Sequence, residues 1–84
     1  MAYIKGKIIQ EIYSNPSNGY VVGLFRVSDG DLDEYKNKVI TFTGIIDDIK
    51  YKTNYKLEGK MVHHNKYGSQ FQVEGYEILL PSSS

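Results

Sequence analysis

Apolar and polar side chains alternate most clearly between residues 55 and 74 of this chain. Positions 55, 57, 59 and 61 carry Tyr, Leu, Gly and Met, and the three positions between them carry Lys, Glu and Lys. Positions 71 and 73 carry Phe and Val between Gln and Glu residues, and Asn65 and Gly68 separate the two runs. Because successive side chains of a strand point to opposite faces, this pattern predicts a β-hairpin with one buried and one wet face.

The rest of the chain continues as strands. Five strands are predicted in all, at residues 3–13, 20–27, 39–44, 55–63 and 70–79. The turn cluster Asn15–Gly19 separates the first two strands, and the acidic, polar residues 28–38 indicate a loop. Residues 45–54 have no clean period and support at most one helical turn. The apolar positions of the last strand change phase near Gly75, which predicts a β-bulge there.

These elements predict an all-β fold. Five strands, two of them long and interrupted by Gly6 and Gly23, with a short non-strand element between strands three and four, are typical of a five-stranded OB-fold-like Greek-key barrel. We expect the barrel to span residues 1–81, and residues 82–84 to be a tail or the start of a linker. An SH3-like barrel is the alternative, but it normally has shorter strands and a longer loop after the first one.

Composition limits the partners and the cell compartment that we expect for this domain. The chain has 84 residues, no cysteine, and ten basic against ten acidic residues. A dedicated nucleic-acid binder usually has a basic excess, so zero net charge argues against strong phosphate binding. The charges are segregated, however, with acids in the loop at 29–34 and lysines between positions 50 and 66, so a local basic face remains. We expect a cytoplasmic protein, since neither a signal peptide nor a membrane span is evident.

Catalytic chemistry is not evident in the sequence. A Walker A pattern and a G-x-S-x-G motif are both missing, so the chain by itself should not hydrolyse ATP. His63 and His64 are adjacent in a strand and should point to opposite faces, which disfavours a shared metal ion. Asp47 and Asp48 are also adjacent, which disfavours a paired-carboxylate site. We therefore predict no catalytic residue and no metal ligand.

Binding is a more plausible activity. Lys66 and Tyr67 occupy the predicted hairpin tip, where a cation beside an aromatic ring suits a phosphate with a stacked base, or a contact to a protein partner. The alternative is a Tyr67 ring that folds back over the end of the barrel. Tyr20 follows the Asn18-Gly19 turn and is either a packed or an exposed ring. The candidate nucleic-acid or partner-binding residues are Lys5, Lys7, Tyr20, Lys60, Lys66 and Tyr67.

A set of short motifs runs through the chain in order: I-x-G, N-G-Y-x-V, T-x-x-G, L-E-G, H-x-K-Y-G-x-Q-F-x-V-x-x-Y-E and a closing proline. The residues concerned are Ile4, Gly6, Asn18, Gly19, Tyr20, Val22, Thr41, Gly44, Leu57, Glu58, Gly59, His64, Lys66, Tyr67, Gly68, Gln70, Phe71, Val73, Tyr76, Glu77 and Pro81. This arrangement resembles the N-terminal domain of bacterial RecD-like ATP-dependent DNA helicases, also called the exodeoxyribonuclease V alpha subunit. The final third is the most specific part.

The chain departs from the pattern of that family at a few positions. The family usually has Trp where this chain has Met61, Glu where it has His63, and Pro where it has Asn65. The loop before strand four is usually rich in Pro and Gly, whereas here it is Lys52-Thr53-Asn54. The fold expectation survives these changes, but any partner contact that uses the Trp or the Pro does not carry over.

The resemblance implies an accessory module of a helicase that moves 5′ to 3′ on single-stranded DNA during repair or recombination. ATP and magnesium would belong to the motor domains of the full-length protein, and this fragment would need no cofactor. The implied partners are the motor domains of the same chain, with single-stranded DNA or another repair protein as further partners. The alternative is a free-standing OB-fold module that binds single-stranded DNA or a protein.

Overall fold

The computed structural model describes residues 2–47, 49–65 and 68–79, except for the side chain of His64. The elements, in chain order, are β1 Ala2–Asn15, β2 Tyr20–Gly30, a 3₁₀ helix Asp33–Tyr35, β3 Val39–Ile45, β4 Asn54–His64 and β5 Gly68–Leu79. All five predicted strands are confirmed, and each is longer than the sequence pattern indicated. The residues added at the strand ends are mostly polar.

The five strands close into one barrel in the order β1-β2-β3-β5-β4, with β4 returning to β1. All neighbouring pairs are antiparallel except β3 and β5, which run parallel. A parallel pair cannot be joined by a tight turn, so the chain makes β4 between them. β4 then pairs with both β5 and β1, which closes the barrel. The predicted OB-fold barrel is confirmed.

The barrel interior holds the core. One face of each strand points inward, and the largest fully buried side chains are Tyr55, Phe25, Phe42, Phe71, Ile4, Ile8, Leu57 and Val27. The rings of Phe25 and Phe42 meet edge to face with centroids 6.1 Å apart. Tyr55 is 0% exposed, and its hydroxyl oxygen accepts a hydrogen bond from the backbone N–H of Lys50 at 3.0 Å. That bond ties the β3–β4 connection to the core.

Gly6 allows β1 and β2 to approach closely at a register shift. A Cβ atom at this position would lie 1.8 Å from the carbonyl oxygen of Arg26. The ladder shifts register between Lys5 and Gly6. Gly59 is under the same constraint, since its Cβ would lie 1.9 Å from the carbonyl oxygen of Gln72. Gly6 therefore marks a close backbone approach, which is one of the roles of a glycine inside a strand.

The last strand contains the predicted bulge. Gly59 pairs with Val73 and Glu58 pairs with Gly75, so Glu74 is the extra residue on β5. The extra residue reverses the alternation of inward and outward side chains. Val73, before the bulge, and Tyr76, after it, therefore both face the core. The bulge therefore lies one residue before the glycine that marks it in the sequence.

Two features of the connections were not predicted. The one helical segment among the described residues is the 3₁₀ helix at Asp33–Tyr35, between β2 and β3, in a region expected to be a loop. Residues 45–54, for which at most one helical turn was expected, form an irregular connection, in agreement with that limit. Ile46 there is buried in the core and Ile49 is half-buried, so these residues anchor an irregular connection. The predicted loop at 28–38 also begins later, because residues 28–30 extend β2, with Asp29 opposite Lys5 and Gly30 opposite Ile4.

Candidate binding surfaces of the barrel

The outer face of β2 and β3 is largely uncharged. OB-folds commonly bind oligonucleotides and oligosaccharides on this face, between the β1–β2 and β4–β5 loops. Its outward positions are Tyr20, Val22, Leu24 and Arg26 on β2, opposite Ile45, Thr43, Thr41 and Val39 on β3, of which Thr43 is buried. Arg26 is the single charged side chain among them and lies at one end. A strand of nucleic acid would find little cationic charge here.

The opposite end of this face is apolar. Tyr20 lies directly opposite Ile45, and Tyr13 of β1 lies directly opposite Val22. The exposed fractions are 37% for Tyr20, 58% for Ile45 and 54% for Tyr13. We call the surface formed by Tyr13, Tyr20, Val22 and Ile45 the apolar face. A cavity of about 260 Å³ continues it toward β5, lined in part by Tyr20, Ile45 and Gln72.

The β1–β2 loop fixes the position of Tyr20. Gly19 has a φ of 75°, a conformation that glycine adopts without steric cost. The side-chain oxygen of Asn18 accepts a hydrogen bond from the backbone N–H of Tyr20 at 2.9 Å. The carbonyl of Gly19 accepts another from the N–H of Ile46 at 3.2 Å. The Tyr20 ring is therefore held at the edge of the barrel, in contact with solvent.

A basic strip runs along the outer face of β1 and β4. Lys5 lies directly opposite Lys56, and the two ammonium nitrogens lie 5.6 and 5.1 Å from the centroid of the Tyr3 ring. Such cation–π contacts contribute about 0.5–1 kcal/mol each at exposed sites. Asp29 lies opposite Lys5 on the other side, and Glu77 lies opposite Lys56. Neighbouring carboxylates thus offset part of the charge of this strip.

The predicted binding residues do not form one site. Lys5 and Lys7 share the outer face of β1, close to each other, and pair with Asp29 and Arg26 near the end of β2. Tyr20 is the first residue of β2 and therefore lies at the opposite end of that strand. Lys60 lies on β4, opposite Gln72. Lys66 and Tyr67 lie outside the described residues, so their predicted contacts stay predictions.

Sequence reasoning missed several groups at or near the surface. Lys56 and Arg26 border Lys5 and Lys7 only because of the strand register, which cannot be read from the sequence, whereas Tyr3 follows from the alternation along β1. Tyr51 is 50% exposed in the irregular β3–β4 connection, where the sequence has no period to predict exposure. The excess of tyrosine was the one available signal. It indicated that some rings lie at the surface without indicating which.

The histidine and carboxylate pairs are placed as follows. His63 is exposed, and its Nδ1 is hydrogen-bonded to the Ser69 hydroxyl across the hairpin at 2.7 Å. Asp47 is exposed, and Asp48 lies outside the described residues. Within residues 2–47, 49–65 and 68–79, no group of three His, Cys, Asp or Glu side chains is arranged to hold a metal ion.

The strand order and the parallel β3–β5 pair define the class of this protein as an OB-fold domain. The chain belongs to the family described as the OB-fold domain of the ATP-dependent DNA helicase YrrC, whose family model matches residues 1–81. The resemblance to RecD-like helicases is therefore confirmed. No solved structure matches the chain significantly. In the part of the chain that the structure describes, no helix has the length and apolar character to cross a membrane.

Proposed function

We propose that this domain is a non-catalytic accessory module of a RecD-like helicase that moves 5′ to 3′ on DNA in repair or recombination. In this proposal the domain packs through its apolar face against another domain of the same cytoplasmic protein. The motor domains would hold ATP and magnesium and carry out the hydrolysis. Membership of the helicase family supports the first part, and the apolar face supports the second.

The single observation behind the packing role is the cluster of exposed apolar side chains at one end of β1, β2 and β3. Tyr13 and Ile45 are each more than half exposed, with Tyr20 beside Ile45 on the same surface. Contiguous exposed apolar surface marks protein contact sites. Tyrosine is also enriched among the residues that contribute most to protein interfaces. This surface therefore suits an aromatic interface with another folded domain.

The same surface is a poorer match for a DNA strand. Phosphate contacts supply most of the affinity for nucleic acid, and each needs a cation or another donor. Arg26 is the one cationic side chain among the outward residues of β2 and β3, and it lies at the end away from Tyr20. Stacking on Tyr13 and Tyr20 would have to supply nearly all of the affinity.

Side-chain footprinting tests the packing role. Hydroxyl radicals oxidise exposed tyrosines, so modification is compared between this chain alone and a longer polypeptide that also carries the motor domains. Packing predicts several-fold less modification of Tyr13 and Tyr20 in the longer polypeptide. Tyr51 serves as an internal reference, since it is half exposed and lies outside the apolar face. Equal modification of Tyr13 and Tyr20 in both samples would contradict the proposal.

A second candidate role is the binding of single-stranded DNA by the barrel itself. The observation that favours it is the basic strip of Lys5 and Lys56 on β1 and β4, with Lys7 next along the outer face of β1. Salt distinguishes the two roles. Phosphate binding weakens steeply as salt rises, whereas an aromatic protein interface does not. A free-standing module that contacts another repair factor would show the same salt resistance, but in a separate chain.

A further inference from the structure

Two cavities on the barrel surface share one lining residue, Lys7. The first, which we call the polar cavity, has a volume of about 250 Å³ and is lined by Gly6, Lys7, Arg26, Val27, Ser28, Asn37 and Asn54. The second, the apolar cavity, has a volume of about 340 Å³ and is lined by Lys7, Ile8, Ile9, Tyr51 and Lys52. Both lie away from the apolar face.

The polar cavity concentrates hydrogen-bond donors. Lys7 pairs directly with Arg26 on one side and with Asn54 on the other, so an ammonium, a guanidinium and a carboxamide form one row across three strands. Like charges directly opposite each other destabilise a sheet. No carboxylate is among the described residues that line this cavity. Within the described chain, the one ion pair joins Lys36 to Asp29, which lines a neighbouring cavity, so Lys7 and Arg26 are not ion-paired there.

The apolar cavity presents a flat ring. Ile9 is the extra residue of a bulge between Ile8 and Gln10, which brings it to the surface with 46% of its area exposed. Tyr51 is 50% exposed in the same cavity. Lys52, the next residue, has a φ of 64°, a backbone conformation that lysine rarely adopts. The connection therefore holds an aromatic ring and a second lysine beside Lys7.

We propose that these cavities together bind a nucleotide unit of a single strand. The phosphate lies in the polar cavity against Lys7 and Arg26, and the adjoining base stacks on Tyr51 in the apolar cavity. Stacked aromatic side chains beside a cationic groove are the common solution for binding single strands without sequence preference. Because Lys7 and Arg26 are exposed, each phosphate contact is weak in salt, so useful affinity requires a strand that repeats the unit.

This inference rests on the second candidate role, single-strand binding by the barrel, and gives it a site; it does not depend on the packing role. The apolar face includes Tyr20, the first residue of β2, and Ile45, which lies opposite it on β3. Arg26 lies six positions further along β2. One surface of the domain would therefore remain available to DNA while the other is covered by a neighbouring domain. Failure of one proposal would leave the other unaffected, because the two use different residues and different readouts.

The test is the binding of a fluorescein-labelled oligothymidylate of about 15 nucleotides, close to the upper site size of one OB-fold, followed by anisotropy across a salt series. Replacing Lys7 with Ala should weaken binding and reduce the slope of log K against log salt by about 0.7. The Tyr51→Ala variant should weaken binding roughly five- to a hundredfold without changing that slope, and Tyr51→Phe should restore most of it. Lys38→Ala is the matched control, since it removes one exposed positive charge from outside both cavities.

The possible outcomes separate clearly. Loss of affinity in the Lys7 and Tyr51 variants, with Lys38→Ala unchanged, supports the proposal. Equal affinities for Lys7→Ala, Tyr51→Ala and Lys38→Ala would overturn it, as would an absence of binding at low salt. Thymidine monophosphate, added as competitor at the same nucleotide concentration, distinguishes a strand from a free nucleotide. Full competition would overturn the assignment to a strand, since the same chemistry would then serve a small molecule.

Discussion

The close approach of β1 and β2 at Gly6 leads to a specific prediction about the stability of the barrel. In the Gly6→Ala variant, the new Cβ would lie 1.8 Å from the carbonyl oxygen of Arg26 and 2.9 Å from its carbonyl carbon. Ordinary contacts of a Cβ atom begin near 3.4 Å. The obstructing atoms belong to the backbone, so no side-chain rotation relieves the clash. β1 and β2 must therefore separate locally by more than an ångström.

The size of the effect follows from the ladder that this separation breaks. Strand hydrogen bonds tolerate little lengthening, so we expect at least two to be lost. Each contributes about 0.5–1.5 kcal/mol, and leaving buried donors or acceptors unpaired costs about 1–3 kcal/mol more. We therefore expect a loss of about 2–6 kcal/mol. At roughly 0.05–0.15 kcal/mol per residue, a chain of 84 residues has a total of only about 4–13 kcal/mol.

Urea denaturation followed by far-ultraviolet circular dichroism measures the loss. With a slope of about 1 kcal/mol per molar urea, the midpoint of Gly6→Ala should fall by about 2 M or more, or the variant should be largely unfolded in buffer. Gly75→Ala is the matched control, because no atom lies within 4 Å of its new Cβ and its φ is not in the left-handed region. It should leave stability unchanged or raise it by about 0.4–1 kcal/mol.

A Gly6→Ala midpoint equal to that of the Gly75→Ala variant would refute this reasoning. It would mean that β1 and β2 do not approach each other closely at this point. The register shift between Lys5 and Gly6 would then have another origin.

Three further predictions concern the core and the hairpin. Tyr55→Phe removes the hydroxyl that accepts the Lys50 N–H, so the free energy of unfolding should fall by about 0.5–1.5 kcal/mol in the same urea assay, and no change would contradict a structural role for that bond. Phe42→Ala leaves a cavity at a fully buried position and should lower the free energy of unfolding by about 3–5 kcal/mol, and an unchanged free energy of unfolding would contradict its place in the core. At the hairpin tip, Lys66→Ala and Tyr67→Ala should each weaken single-strand binding in the anisotropy assay, and unchanged affinity would exclude the tip as a DNA contact.

The sequence predicted the fold well because strand alternation survives in any sheet that has one buried face. The hairpin of β4 and β5 followed from its alternating positions, and the reversal of phase near Gly75 revealed the bulge that the structure places at Glu74. The prediction was wrong where polar residues belong to a strand and not to a loop. Residues 28–30 are polar because they face solvent at the end of β2, and this composition made them resemble a loop.

The candidate surfaces were harder to predict, because they depend on strand register. Nothing in the sequence places Lys7 between Arg26 and Asn54, and the bulge that exposes Ile9 has no marker residue. Tyr51 lies in a connection without periodicity, so its exposure depends on the anchoring of Ile46 and Ile49 in the core. The sequence identified Lys7 as a binding candidate but not the residues that surround it.

The central claim is that this domain works as a module of a RecD-like helicase, and the size of the native polypeptide tests it most directly. An antibody raised against the domain would be used to blot cell extract. The account predicts a band several times larger than 9.6 kDa, the mass of this chain. A single band at 9.6 kDa would contradict it, because a free-standing barrel would have no motor domains to pack against.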